Sequence, residues 1–256
     1  MDPATLIGLG VGFAVIIAAN VMEGGNPASL LLIPPILLVF GTTIMVTVAG
    51  GTMADAKQAV VSFKRALTGG AQSSASVVPV LVSLADKARK EGMLSLEDAI
   101  KEIDDPFLVK GVTLAVDGTD SEDLREILEG EVHAKRATDK HAAKFFSDAG
   151  GYAPTIGIIG TVMGLVHVLE NLSAPEELGH LIAGAFIATL WGVMSANVIW
   201  LPVGNRLKRL GELEAARMEV VIEGVLAIQA GSNPRTVSLK LRSLLPPAEQ
   251  TELEAA

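Results

Sequence analysis

The sequence has no cysteine, few aromatic residues and little charge. Of its 256 residues 4% are aromatic and 19% are charged, whereas 50% are hydrophobic and the mean hydropathy is +0.46. A soluble domain carries about a quarter charged residues, so part of this chain's surface faces something other than water. The lack of cysteine excludes disulfides, thiolate metal sites and a cysteine nucleophile.

Basic residues are absent from two long stretches. All 20 Lys and Arg lie within residues 57–144 or 206–242, and the formal net charge is −9. Phosphate binding needs a basic stripe that an acidic chain of this kind does not offer. We therefore expect no nucleic-acid partner.

Four apolar stretches are long enough to cross a hydrocarbon core, which takes about 20 helical residues. They are residues 4–22, 28–53, 152–169 and 181–203. The only charge ahead of the first is Asp2, which favours a retained helix over a signal peptide. The sequence predicts an all-α integral membrane protein with four transmembrane helices in two hairpins and a helical cytoplasmic domain inserted between helices 2 and 3.

The basic residues also predict an orientation. Four crossings place the polar insert and the C-terminal tail on the same side, and both carry the Lys and Arg that concentrate in the cytoplasm. Both termini are therefore predicted to be cytoplasmic. The predicted parts are a first transmembrane hairpin (1–54), a cytoplasmic helical domain (55–148), a second hairpin (149–204) and a C-terminal helix and tail (205–256).

The insert and the tail have helical patterns. Apolar spacing, glycines and prolines predict helices over 57–67, 77–89, 95–103, 108–116, 121–146 and 206–229. Because β-branched residues do not alternate along the chain, we expect essentially no sheet.

The sequence offers no catalytic motif. It contains no P-loop, no HExxH metal motif and no GxSxG nucleophile elbow. His133 and His141 stand among charged residues, which is typical of a solvated face rather than a zinc site. The prediction is a protein that is not an enzyme and has no metal site or cofactor.

The predicted spans contain no Asp, Glu, Lys or Arg at mid-depth. A chain that moves ions through a membrane needs a titrating or cation-binding group there. If this chain moves ions, that group must come from a partner. Gly160 and Gly164 are interpreted as close-packing positions between membrane helices.

Several segments resemble the MotA/PomA flagellar stator family, and more weakly the TolQ/ExbB proteins. The segments are GYAPTIGIIGTVMGL (151–165), ARKEGMLSLE (88–97), AFIATLWG (185–192) with Ala196-Asn197, and Asn233-Pro234-Arg235. They follow the family's order along nearly the whole chain. TolQ and ExbB have three spans, so the additional N-terminal hairpin favours MotA/PomA.

The resemblance implies a flagellar motor stator subunit in the bacterial inner membrane, in contact with its lipid. In that family a homo-pentamer surrounds a MotB/PomB dimer, whose transmembrane Asp binds the translocated H⁺ or Na⁺. Charges matching Arg89 and Glu97, with Glu131 as a third, act on the rotor protein FliG. A solvated salt-bridge face is the alternative for these residues.

The resemblance also assigns roles within the spans and the tail. Pro154 and Pro234 match family prolines, with Pro154 as a hinge at the cytoplasmic mouth of the third span. A helix-start proline and a turn after the tail helix are the respective alternatives. Thr161 and Thr189 match threonines that line the ion path, and Thr161 favours sodium slightly over protons. A threonine hydroxyl bonded to its own helix is the alternative.

Two other functions compete with the stator. One is a TolQ/ExbB-like ion-driven energiser of the cell envelope, which would have a TonB- or TolA-like partner. The other is a passive membrane scaffold without an Asp-bearing partner. The choice between H⁺ and Na⁺ stays open, because the ion-binding Asp lies on another chain.

Overall fold

The fold comes from a computed structural model, which describes residues 3–255 apart from the side chains of residues 252, 254 and 255. Within this range the chain is helical and contains no strand. The α-helices are α1 (Ala4–Met22), α2 (Ile33–Ile36), α3 (Thr42–Ala49), α4 (Met53–Thr68), α5 (Val78–Glu91), α6 (Leu96–Ala99), α7 (Pro106–Val116), α8 (Ser121–Glu170), α9 (Pro175–Ser195), α10 (Leu201–Gln229), α11 (Pro234–Ser243) and α12 (Pro247–Ala255). The all-α prediction is confirmed.

Shorter helical turns join some of these helices. The 3₁₀ turns are Pro27–Leu30, Ser74–Val77, Met93–Ser95 and Ile100–Glu102, and the π-helical turns are Leu37–Gly41 and Ala196–Trp200. The predicted helix over 95–103 is therefore a short α-helix between two 3₁₀ turns. Ser95 donates its hydroxyl to the Gly92 carbonyl and does not cap α6.

Three helical segments are long and apolar enough to cross a membrane: Ala4–Met22, Ser121–Glu170 and Pro175–Gln229. The second predicted span forms a shorter apolar helix, Ile33–Ala49. Its start is set by prolines at 34 and 35, which favour the first turn of a helix. The count of four spans stays a prediction.

The chain divides into two compact units. One takes the residues up to Gly70 together with Asp139–Lys208, and the other takes Ala71–Thr138 together with the residues from Arg209 onward. We call them the membrane unit and the head unit. The predicted four-part division stays a prediction.

Small and aromatic side chains form the core of the membrane unit. Ala149, Ala153, Val203 and Leu207 are buried with Trp200 in one cluster. By contrast, α1 has no buried residue although it is apolar throughout. An exposed apolar helix of this kind needs lipid or another protein chain against it.

The head unit has a larger aliphatic core. Its fully buried leucines include Leu81, Leu108, Leu124 and Leu128. Side-chain caps set the local helix starts: the Asp105 carboxylate accepts hydrogen bonds from the backbone N–H groups of Phe107 and Leu108 at the start of α7. This core holds α5 and the turn after it in place.

Candidate functional site

Glycines let α8 and α9 approach each other closely in the membrane unit. A Cβ on Gly157 would lie 2.9 Å from the Ala188 carbonyl oxygen, and one on Gly192 would lie 2.9 Å from the Gly157 Cα. These distances are too short for any side chain, so the two backbones are in contact at this crossing. No sequence pattern marked Gly157 and Gly192 as a pair, because they lie on different helices.

Gly160 and Gly164 lie on the same side of α8 as Gly157. A Cβ on Gly160 would lie 2.6 Å from the Ala188 Cβ, and one on Gly164 would lie 2.6 Å from the Ala185 Cβ. Both positions therefore face the small residues of α9. Their role as packing positions stays a prediction, and these short distances support it.

Thr161 and Thr189 meet at the same crossing. Their hydroxyls are in contact, and Thr161 Oγ1 also lies 3.0 Å from the Ala185 carbonyl oxygen and 3.2 Å from that of Gly157. Thr189 Oγ1 lies 3.4 Å from the Gly157 carbonyl oxygen. Two hydroxyl and two carbonyl oxygens therefore gather in one place, and both side chains are partly buried.

The chemistry of this oxygen cluster is limited to hydrogen bonding and cation coordination. Hydroxyl and carbonyl oxygens are hard ligands that suit small cations. Residues 149–169 and 178–205 contain no Asp, Glu, Lys or Arg. Among the described residues no group of three or more His, Asp or Glu side chains could hold a metal. The parts of α8 and α9 that form this crossing therefore supply no titrating carboxylate to the cluster.

Pro154 lies inside α8 and not at a helix start. Since proline has no N–H, the carbonyl of Gly150, one turn earlier, loses its usual helical donor. The structure therefore removes the helix-start alternative for Pro154. The hinge role stays a prediction.

An aromatic column, which was not predicted from the sequence, links several helices of the membrane unit. The Phe40 ring lies 5.6 Å from that of Trp191 and 6.0 Å from that of Trp200. The Phe146 ring lies 6.4 Å from Trp200 and 6.1 Å from Phe63. Trp191 Nε1 also donates to the Leu30 carbonyl oxygen at 2.7 Å. Only 4% of the residues are aromatic, so the positions of these few rings in the sequence were the one signal that could have indicated the column.

Arg89 and Glu97 flank the turn that ends α5 in the head unit. Both are exposed, and neither forms an ion pair within the described part of the chain. Their neighbours are paired instead: Lys90 Nζ lies 2.6 Å from Asp86 Oδ2, and Lys101 Nζ lies 2.7 Å from Asp98 Oδ1. The hydrogen bond from Lys101 and its charge lower the pKa of Asp98.

Glu131, the third predicted rotor residue, lies elsewhere in the head unit and has a partner. Its Oε2 is 2.6 Å from Lys110 Nζ, and both side chains are partly exposed. Unlike Arg89 and Glu97, Glu131 is held in an ion pair between α8 and α7. No local sequence pattern indicates this pairing, because the two residues are 21 positions apart.

Pro234 is the first residue of α11, and Asn233 caps that helix by accepting the backbone N–H of Arg235. α11 packs against α5 through Val237 and Leu241, both fully buried in the head core. Pro234 therefore begins the helix that supports α5. Its coupling role stays a prediction.

The fold and these features define a class of protein. It is an all-α chain with long apolar helices and an oxygen cluster between two of them, and the helix segments around the cluster contain no carboxylate. The profile of the MotA/TolQ/ExbB proton channel family matches residues 99–220. The chain belongs to this family, as its sequence segments predicted.

Relatives and solved structures are similar over nearly the full length. Motility protein A of Bacillus subtilis is 36% identical over 96% of this chain and 92% of its own, and chemotaxis protein PomA of Vibrio alginolyticus is 34% identical over 96% of each. The flagellar MotAB stator complex from Bacillus subtilis contains a chain with a TM-score of 0.90 and 34% identity, covering 97% of this chain and 98% of that one. C. jejuni MotAB gives a TM-score of 0.92 at 29% identity, over 96% and 97%.

Proposed function

We infer that this chain is a stator subunit of the bacterial flagellar motor. The observation that carries this conclusion is the near-full-length likeness, in sequence and in fold, to motility protein A and to chains of MotAB stators. The match covers the N-terminal apolar helices as well as the family core. A TolQ/ExbB-like energiser, the rival function, is not favoured by these full-length matches.

The chain acts in the inner membrane with a MotB/PomB-type partner and as a homo-oligomer, for which we propose a pentamer. The partner supplies the transmembrane Asp that the chain lacks. The Thr161 and Thr189 oxygen cluster lines the route of H⁺ or Na⁺ beside that Asp. Support comes from the convergence of four oxygens at a site with no competing charge.

Arg89 and Glu97 provide the contact with the rotor protein FliG from the cytoplasmic side, and both termini lie on that side. Both side chains are exposed and neither forms an ion pair within the described part of the chain, so both charges are accessible to a partner. Exposed charge pairs contribute only about 0.2–1 kcal/mol, which suits a contact that is made and broken repeatedly. Pro154 and Pro234 couple the ion site to this surface.

The test is a motility assay of a deletion strain complemented with this chain, with proton and sodium gradients varied separately. We expect swimming to be lost on deletion, to return with the chain, and to follow one of the two gradients. Full swimming of the deletion strain, with no redundant copy in the genome, would overturn the proposed function. Unchanged motility with a defective cell envelope would support the energiser instead.

A further inference from the structure

The turn after α5 has a fixed shape. Gly92 ends the helix with φ of 86°, in the left-handed region that favours glycine. The 3₁₀ turn Met93–Ser95 follows, and Ser95 donates both its backbone N–H and its hydroxyl to the Gly92 carbonyl, at 3.2 and 2.6 Å. The turn is therefore ordered before any partner binds.

The apolar residues of this turn differ in their burial. Leu96 is fully buried and Met93 is partly buried against the head core. Leu94, between them, is 73% exposed. The two neighbours anchor the turn to the head unit, so Leu94 is held outward rather than being free to fold back.

Leu94 also lies between the unpaired charges of Arg89 and Glu97 along the chain. Charged contacts between exposed groups are weak and are screened within about 8 Å at physiological salt. Protein interfaces combine a charged or polar rim with an apolar centre that excludes water. The turn offers both parts: an exposed leucine, and exposed charges of opposite sign that precede and follow it in the sequence.

We propose that Leu94 is the apolar anchor of the rotor contact, a role that rests on the proposed stator function. Its binding partner is an apolar pocket on the rotor protein, with acidic residues beside Arg89 and basic residues beside Glu97. Burial of Leu94 holds the stator at the rotor while the charges set register. Because the turn is already ordered, little conformational entropy is lost on contact.

The test uses fluorescently labelled stator complexes in swimming cells and measures their dwell time at the motor, normalised to the amount of chain in the membrane. The variants are Leu94→Ala, Leu94→Ser and Leu94→Met. Leu239→Ala is the matched control, because Leu239 is 65% exposed and belongs to α11 rather than to the turn. Co-purification with the partner checks assembly.

We expect Leu94→Ala to shorten the dwell time about tenfold and Leu94→Ser to shorten it further, since burial of apolar area is lost. Leu94→Met keeps most of the dwell time, and Leu239→Ala matches the parent. The anchor role of Leu94 is overturned if Leu94→Ala has the same dwell time as Leu239→Ala, or if Leu94→Met shortens the dwell time as much as Leu94→Ala does. If instead the parent chain never locates to the motor, the proposed function itself fails.

Discussion

Lys110 Nζ lies 2.6 Å from Glu131 Oε2, so one of the three residues assigned to the rotor contact is already engaged within its own head unit. Among the side chains that the structure describes, Arg89 and Glu97 have no ion-pair partner of this kind. The family resemblance assigns the same role to all three residues, but the ion pair distinguishes Glu131 from Arg89 and Glu97.

Glu131→Lys is expected to reduce torque less than Glu97→Lys. The first substitution breaks a partly exposed pair that contributes about 0.2–1 kcal/mol to the head unit. The exchange of both partners, Lys110→Glu with Glu131→Lys, restores an attractive pair and should recover the loss. Torque measured on tethered cells checks this. No recovery in the exchanged pair would instead give Glu131 a direct role at the rotor.

Glu97→Lys is expected to impair torque without loss of membrane insertion, because Glu97 is exposed. A charge reversal on the rotor partner should restore part of the torque. Membrane levels by immunoblot and swimming speed measure the two effects. Normal swimming with both Arg89 and Glu97 reversed would contradict the assignment.

Thr161→Ala and Thr189→Ala are expected to slow ion-driven swimming, whereas Thr161→Ser keeps most of it. Each alanine removes a hydroxyl from the oxygen cluster. The lost hydrogen bond contributes about 1–1.5 kcal/mol, and a barrier to ion transfer raised by this amount slows that transfer roughly tenfold. Thr155→Ala is the control, because its hydroxyl is exposed and bonds only the Tyr152 carbonyl, at 2.8 Å. Swimming speed against external Na⁺ at fixed pH, and against pH at fixed Na⁺, identifies the ion. Equal effects at Thr155 and Thr161 would remove the cluster from the ion path.

Gly192→Ala is expected to destabilise the protein by about 1–3 kcal/mol, since the added Cβ would lie 2.7 Å from the Ala153 carbonyl oxygen. Gly179→Ala, on the same helix, is the control because nothing lies within 4 Å of its Cβ position. Thermal unfolding of the detergent-purified complex compares the two variants. A similar stability in both would mean that the α8–α9 contact is not close in the assembled protein.

Acid is expected to weaken the head unit through Glu223. Burial raises the pKa of this carboxyl, but hydrogen bonds from Lys240 and Arg125 outweigh the effect, and the pKa lies below its ordinary value of 4.5. A lowered folded-state pKa stabilises the fold fully above the unfolded value, and this contribution is lost as pH falls below about 4.5 through the folded value.

Glu223→Gln should remove that part of the acid dependence and cost roughly 1–3 kcal/mol at neutral pH. The substitution removes the negative charge between Arg125 and Lys240 and replaces one of the two accepting oxygens by an NH2 group. Glu126→Gln is the control, since Glu126 is exposed on α8. Unfolding midpoints between pH 3 and pH 7 measure the difference. Parallel pH profiles for the parent and Glu223→Gln would exclude this role.

Local patterns predicted much of the architecture because hydropathy and helix signals act over a few residues. The runs ending near Met22 and Leu169 predicted helices that the structure contains, and Gly92 marked the end of α5. The second span was less predictable. Its composition is apolar, but prolines 34 and 35 and a π-helical turn over Leu37–Gly41 divide it. A π turn depends on how the helix packs rather than on a local signal.

By itself, the sequence determined that this is an all-α membrane protein whose spans lack a carboxylate, since these properties follow from composition and spacing alone. Only the tertiary structure decided which side chains meet. Thr161 contacts Thr189 over 28 positions, and Glu131 pairs with Lys110 over 21. Such contacts depend on which helix faces pack together. In α8 and α9 that choice follows from glycines that let the two backbones approach, Gly157 and Gly192 among them.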